Sequence, residues 1–188
     1  MKLLRTLRTS TLLLLTGLAV SSCLEMPDYP ETPSISFKSI SSERVSDGFG
    51  LYDRVTITVS FKDGNGDLGL REEDKVEGSP WARLNPDLTL NPFYNNYYIT
   101  PLIRNAAGEF LPLELDNPND NYNSTYPPLD KDSNGRETPL RGDLSFTTDF
   151  FAGDPLKPGE VVRFEVFIYD RALNKSNTII TDPITIPR

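Results

Sequence analysis

The sequence predicts an all-β protein, built as a single antiparallel β-sandwich of about seven strands. Apolar and polar residues alternate along several segments, most clearly at 54–62, where Val55, Ile57, Val59 and Phe61 would share one face. This alternation is typical of a sheet with one face on a core and the other in water. The 16 prolines and 12 glycines punctuate the chain, and no window beyond residue 22 has a helical apolar stripe.

The predicted strands follow one another at short intervals. They are residues 34–40, 54–62, 97–103, 109–115, 142–147, 162–170 and 176–186. Residues 116–141 are rich in Asp, Asn and Pro and are predicted to form one long loop. Short strands at both termini favour an immunoglobulin-like sandwich that covers residues 34–188.

The first 33 residues predict export and a lipid anchor. Lys2, Arg5 and Arg8 precede a short apolar run at 12–20, which is too short to span a bilayer and is typical of a cleaved signal peptide at 1–22. Small residues then lead to Cys23, a pattern that resembles the lipobox of bacterial lipoproteins. The resemblance implies acylation of Cys23, palmitate included, and residues 23–33 read as a tether. The alternative is an ordinary secretory signal.

Two internal segments carry a further family resemblance. Residues 61–70, FKDGNGDLGL, are similar to the strand followed by D-G-D-G-D-L-G that is common in small Bacteroidota outer-membrane lipoproteins. Residues 169–177 are similar to the D-x-A-G-N-x-S turn of bacterial immunoglobulin-like and cadherin-like domains, with Leu173 where glycine is usual. The resemblance implies an outer-membrane location, and acidic residues soon after Cys23 favour the cell surface.

Charge and composition exclude several functions. Without residues 1–22 the chain has 16 Lys+Arg and 27 Asp+Glu, and this acidic balance argues against nucleic acid as a partner. The chain has no histidine, and Cys23 is its only cysteine, so a Ser-His-Asp triad, a second thiol and an internal disulfide are all excluded. No pair of acids stands out, and we therefore expect no enzyme.

Residues 63–74 predict a candidate calcium loop. Asp63, Asn65 and Asp67 place oxygen ligands at every second residue, with glycines between them, and Asp74 falls at the twelfth position of an EF-hand-like count. The alternative is a β-turn at Asn65-Gly66 that keeps the acids in solvent.

A second partial calcium pattern lies in the long loop. Its oxygen-bearing residues are Asp130, Asp132, Asn134 and Glu137. The alternative is a solvated acidic turn. In either segment, Ca²⁺ would have a structural role, ordering a loop that charge repulsion would otherwise hold open.

Aromatic residues are the other candidates for binding. They are Trp81, Phe93, Tyr94, Tyr97 and Tyr98 in the segment before and at the third strand, with Tyr122 and Tyr126 in the long loop. Exposed rings beside amides can stack on sugars or anchor a protein interface. The alternative is that these rings fill the ends of the sandwich.

The favoured functional hypothesis is a lipid-anchored accessory protein that docks onto an outer-membrane protein complex. The alternative is a free-standing surface module that binds a glycan or another ligand. A carboxylate-dependent glycosidase is the third hypothesis and requires two convergent acids in a cleft.

Overall fold

Eight strands form the structure, a computed structural model that describes residues 27–117, 120–129 and 138–188. The strands are β1 Ser34–Asp47, β2 Gly50–Asp63, β3 Tyr97–Arg104, β4 Phe110–Pro112, β5 Leu140–Phe151, β6 Val161–Ile168, β7 Ile179–Ile180 and β8 Ile184–Thr185. A 3₁₀ turn at Glu72–Lys75 is the one helical element among these residues. Within the same ranges no helix has the length and apolar character needed to cross a membrane.

The strands pair in two antiparallel sheets, which confirms the all-β sandwich. One sheet has the order β1-β2-β5, and the other has β4-β3-β6, with β7 and β8 both paired to β6. The β1–β2 register matches Ser34 with Lys62 and Asp47 with Gly50, with a bulge between Phe37 and Ser39. Each sheet therefore contributes one long central strand, β2 or β6, to the interior.

The core lies between these two central strands. On β2 the inward side chains of Val55, Ile57 and Val59 are fully buried, as the alternation predicts. The facing row on β6 is also fully buried and consists of Val162, Phe164, Val166 and Ile168. At roughly 1.5–3 kcal/mol for each large apolar side chain, these two rows are a major source of stability.

Several predicted elements differ from the observed ones in extent, three of them in ways that change the description of the fold. β1 continues to Asp47 instead of ending at residue 40, because it pairs with β2 along its whole length. The predicted strand at 176–186 is two short strands, since Asp182-Pro183 intervenes and proline has no N–H to donate to a ladder. The predicted loop at 116–141 overlaps β5 by its last two residues, Leu140 and Arg141, and within it Ser124 pairs with Tyr97.

The sandwich has two distinct ends. At one, called the tether end, β1 begins and β2 ends, β3 begins and β6 ends, and the connections 64–96 and 169–178 lie there. The backbone oxygen of Pro30 accepts a hydrogen bond from the Gly64 N–H at 2.9 Å, so the tether also lies at this end. The opposite, far end holds the β1–β2 turn and the end of β5.

Candidate metal centre

Three aspartates converge at the tether end. Asp63, Asp67 and Asp170 each offer a carboxylate oxygen, and these oxygens lie within 4.8 Å of one another. Asp63 is the last residue of β2, and Asp170 follows β6 by two residues. Both continue the inward-facing row of their strand, and both are fully buried. The cluster therefore joins the end of one sheet to the end of the other.

The loop after β2 is tightly enclosed. Gly66 has φ +74°, a conformation that glycine adopts without strain, and a Cβ there would collide with the backbone oxygen of Thr138. At Gly64 a Cβ would collide with the backbone of Tyr29 and Pro30. The glycines thus allow the tether and the segment before β5 to close over the aspartates.

Backbone and side-chain donors fix the orientation of each carboxylate. Asp63 Oδ2 accepts from the Asp67 N–H at 3.1 Å, and Asp67 Oδ2 accepts from the Ala172 N–H at 3.2 Å. Asp170 Oδ1 and Oδ2 accept from the backbone N–H and the side-chain amide of Asn174, each at 2.8 Å. The turn at 170–174 and the loop at 63–67 therefore hold each other in place.

Other oxygens at the centre have no donor. Asp63 Oδ1, Asn65 Oδ1 and Asp67 Oδ1 are buried and accept no hydrogen bond within the described part of the chain. A buried acceptor without a partner carries a desolvation cost of about 1–3 kcal/mol, and more for a charged group. Three such acceptors in one loop indicate that a group outside the chain satisfies them.

The pKa values of the three aspartates also indicate negative charge that the fold does not neutralise. Burial, together with the nearby Asp67 charge, raises the pKa of Asp63 from 3.8 to about 7. Burial and Asp170 raise the pKa of Asp67 to about 6, although Ala172 N–H and Arg171 act in the opposite direction. Burial raises the pKa of Asp170 as well. The site therefore holds more negative charge than its surroundings offset, and a bound cation would relieve it.

The donor set fits a metal ion that prefers oxygen ligands. Carboxylate and amide oxygens are the ligands of hard cations such as Ca²⁺, whereas zinc sites in proteins are built mainly from sulfur and nitrogen. Asp63, Asp67 and Asp170, with the amide oxygen of Asn65 in the same loop, could hold such an ion.

The structure brings together some of the predicted ligands and not others. Asp63 and Asp67 lie in the cluster, whereas Asp74 does not, because its Oδ2 accepts the Arg71 N–H at 2.7 Å in the 3₁₀ turn. The EF-hand-like count fails since the chain leaves the site at Leu70, whose N–H bonds to the Tyr126 backbone oxygen. The second predicted calcium pattern and the cysteine predicted to carry the lipid lie outside the described residues. They are Cys23, Asp130, Asp132, Asn134 and Glu137.

Asp170 is a candidate ligand that the local sequence pattern did not predict. It comes from the turn at 169–177, which was identified by its resemblance and not as a source of ligands. The alternation on β6 contained the signal, because residue 170 has the inward parity of Val166 and Ile168. An aspartate in the inward row of a strand is a candidate ligand because burial there requires a counter-charge.

Most of the predicted binding aromatics are buried or half-buried. Trp81, Tyr97 and Tyr126 are buried, and the Trp81 indole N–H donates to the Arg171 backbone oxygen at 3.2 Å. Phe93 is 37% exposed. The remaining rings, Tyr94, Tyr98 and Tyr122, are half-buried. The buried rings present no face to solvent, in keeping with the alternative that they fill the end of the sandwich.

Comparison with known proteins adds little to this description. No family model and no curated protein matches the chain. Among solved structures, the chain is similar to the X-ray structure of Northeast Structural Genomics Consortium target SoR45, with 9% identity and a TM-score of 0.27. The alignment covers 84% of this chain and 87% of the other. A TM-score this low does not indicate a common fold.

Proposed function

We propose that the protein is a lipid-anchored accessory protein of an outer membrane and that it acts by docking onto an outer-membrane protein complex. The anchor is supported by the signal-like residues 1–22 and by Cys23, which follows them. The docking role is supported by an apolar surface at the far end of the sandwich.

The contacts of the tether support an anchor close to the metal centre. Pro30 is bonded to Gly64, and the ammonium group of Lys62 lies 5.7 Å from the centre of the Tyr29 ring. Cys23 precedes the first described residue, Pro27, by only four positions, which span at most about 14 Å when extended. The tether end would then lie near the lipid and leave the far end for a partner.

The observation that carries the docking proposal is the apolar surface around the β1–β2 turn. Phe49 is 91% exposed, Phe151 62% and Leu51 45%. The Tyr52 ring lies 5.0 Å from the Phe151 ring, which extends this surface along β2. Single exposed apolar residues are ordinary, but a group of them at one end of a domain is typical of an interaction site.

Affinity purification tests this proposal. Tagged full-length protein is solubilised in detergent from its own membrane, and the recovered proteins are identified by mass spectrometry. We expect a stoichiometric membrane-protein partner that is lost with Phe49→Ser, since a polar tip removes the central ring. Val76→Ser is the matched control, because Val76 is 57% exposed but lies at the tether end. Recovery of the protein alone would contradict the docking proposal.

We also infer that the ion at the metal centre is Ca²⁺ and that its role is structural. Ca²⁺ takes six to eight oxygens in flexible geometry, and the chain offers three carboxylates and one amide there. Asp63 belongs to the sheet of β2, and Asp170 follows a strand of the other sheet. A bound ion would therefore join the two sheets beside the tether.

The two other hypotheses have less support. A free-standing glycan-binding module would use the exposed rings of Phe49 and Phe151, and recovery without a protein partner would favour it. A glycosidase needs carboxyl groups about 5–9.5 Å apart across an open cleft. The three clustered oxygens lie within 4.8 Å of one another, and Asp63 is fully buried, so a substrate could not reach it.

A further inference from the structure

A small hairpin with an apolar tip rises from the tether end. Residues 84–90 fold back on themselves, with Leu84 bridged to Leu90 and the Asn85 N–H bonded to the Thr89 oxygen at 2.9 Å. Leu88 is 78% exposed, Leu90 54% and Leu84 42%. Three leucines are thus presented to the exterior on one short element.

The turn itself does not require a leucine at its tip. Leu88 has φ +67°, a left-handed conformation that glycine or asparagine adopts more easily. Its N–H closes the turn by donating to the Asn85 oxygen at 2.9 Å, a bond that any residue but proline would make. The apolar side chain therefore contributes nothing to closing the turn, and its exposure calls for a contact outside the chain.

The hairpin stands on a base fixed to the metal centre. The side-chain amide of Asn91 donates to the backbone oxygens of Pro80 and Ala82 at 2.8 and 2.7 Å. Trp81, between these two residues, is bonded to Arg171 beside Asp170. The hairpin and the tether therefore belong to the same end of the sandwich.

The hairpin and the tether lie at the same end of the sandwich. The four positions from Cys23 to Pro27 span at most about 14 Å. An acyl group on Cys23 would therefore enter the bilayer close to the end of the domain that carries the hairpin.

The hairpin is neutral whereas the chain as a whole is acidic, so the hairpin is better suited to contact a lipid surface. Residues 83–91 carry only Arg83 and Asp87, so they are neutral in a chain of net charge −8. A cleft of about 410 Å³ beside the hairpin is lined by Lys75 and Arg83 together with Glu77, Leu84 and Leu88. Cations next to apolar side chains suit phosphate headgroups above acyl chains.

We propose that the leucines of residues 84–90 insert into the headgroup region of the bilayer that holds the Cys23 lipid. The inference rests on the lipid anchor of the proposed function and adds a second contact to it. The lipid on Cys23 would already hold the domain at the bilayer, and insertion of the leucines would bury further apolar area there. The contact would also fix the orientation of the domain, with the far end directed away from the membrane.

Fluorescence on the acylated, full-length protein in phospholipid vesicles tests this inference. Cys23 is the only cysteine, and acylation consumes its thiol, so Leu88→Cys supplies a unique site for an environment-sensitive fluorophore. The vesicles contain phosphatidylethanolamine and phosphatidylglycerol, with a fraction of lipids bearing a quencher on a shallow acyl carbon. The matched control is Phe49→Cys, because Phe49 is exposed at the far end. Leu90→Cys repeats the measurement on the second arm of the hairpin, where Leu90 is 54% exposed.

We expect a blue shift and several-fold stronger quenching for the probes at 88 and 90 than for the probe at 49. Equal quenching at both ends would overturn the inference. It would also be overturned if the tip probes were shielded in native membranes and exposed in pure lipid, since the tip would then contact a protein. Intact mass and vesicle flotation report the anchor separately. An unacylated Cys23 would remove the anchor and this inference together, whereas an anchored protein with an exposed tip would remove only the inference.

Discussion

Two buried aspartates lie at opposite ends of the inward face of β2, and they differ in what neutralises them. Asp53 Oδ1 and Oδ2 accept hydrogen bonds from the Arg44 guanidinium at 2.8 and 3.0 Å. Asp63 Oδ1 has no donor among the described residues and faces the charges of Asp67 and Asp170. The first carboxylate thus has its counter-charge within the fold, and the second lies where a cation would supply it.

Calcium is therefore expected to stabilise the protein through Asp63. At a calcium concentration about 100-fold above the Kd, the free energy of unfolding increases by about 2.7 kcal/mol. For a domain of this size, that gain raises the Tm by roughly 5–10 °C. Asp63→Asn should abolish the increase, because it removes one charged ligand at nearly constant volume. Differential scanning calorimetry of the wild type and of Asp63→Asn, each with calcium and with chelator, measures the two Tm differences.

The control for this substitution is Asp182→Asn, which removes an exposed carboxylate between β7 and β8. It should leave the calcium response unchanged. A wild-type Tm that does not differ between excess calcium and chelator would contradict the metal assignment.

In calcium-free buffer, stability should fall as the pH rises from about 4.5 to 7. The folded pKa values of Asp63 and Asp67, about 7 and about 6, lie above the ordinary value of 3.8. The native state therefore binds more protons than the unfolded state in this window, and the free energy of unfolding decreases with pH. Urea titrations at several pH values measure the slope, which should be shallower for Asp63→Asn.

The exposed aspartates act outside this window. Hydrogen bonds from Lys38 and Arg54 lower the pKa values of Asp143 and Asp149. Their contribution to the free energy of unfolding is present above about pH 4 and is lost only below it. Stability that rises between pH 4.5 and 7 without calcium would therefore contradict the raised pKa values at the metal centre.

The loop after β2 shows which parts of an element can be read from sequence. Asp63, Asn65 and Asp67 were identified because their ligand spacing is local. Their partner Asp170 lies more than 100 positions away, and only the pairing of strands brings it to them. Parity along β6 indicates that residue 170 points inward, but not which residue of the other sheet it meets.

The same loop predicts a contrast between two glycines. Gly66 and Gly78 have φ +74° and +80°, so alanine at either position carries a similar backbone cost, about 1–2 kcal/mol. At Gly66 the new Cβ would also meet the Thr138 oxygen, whereas at Gly78 it would meet nothing within 4 Å. We expect Gly66→Ala to weaken calcium binding at least tenfold and Gly78→Ala to leave it unchanged, as measured by calorimetric titration.

A similar loss of calcium affinity in both variants would mean that backbone strain alone disturbs the loop. The contact between the loop and the segment before β5 would then be unimportant for the site.

At the scale of the whole molecule, the metal centre lies where the two sheets and three loops meet. The Leu129 N–H donates to the Leu68 oxygen at 3.0 Å, and the Leu70 N–H donates to the Tyr126 oxygen at 3.1 Å. Calcium is therefore expected to slow amide hydrogen exchange at residues 63–70, 126–129 and 170–174. The far-end turn at 47–50 is the internal control, and equal protection at both ends would contradict a local role for the ion.

The general architecture followed from the sequence because period-2 alternation requires only neighbouring residues. The full length of β1 could not be predicted from the sequence, because its second half has few apolar residues and is held by pairing with β2. The division of the last predicted strand follows from Pro183, a residue whose effect can be read locally. The burial of Trp81 could not be predicted, because a ring in a proline-rich loop has the same sequence whether it faces solvent or core.

The bond between Pro30 and Gly64 has a mechanical consequence. If a partner pulls on the β1–β2 turn while the lipid holds Cys23, the load runs lengthwise along β1 and β2. The extended backbone of β1 then carries the tension, and the ladder to β2 is not peeled apart from its end. The Pro30–Gly64 bond passes part of the tension to the end of β2, next to Asp63. An ion at this position would act as a clamp where the pulling force enters the domain.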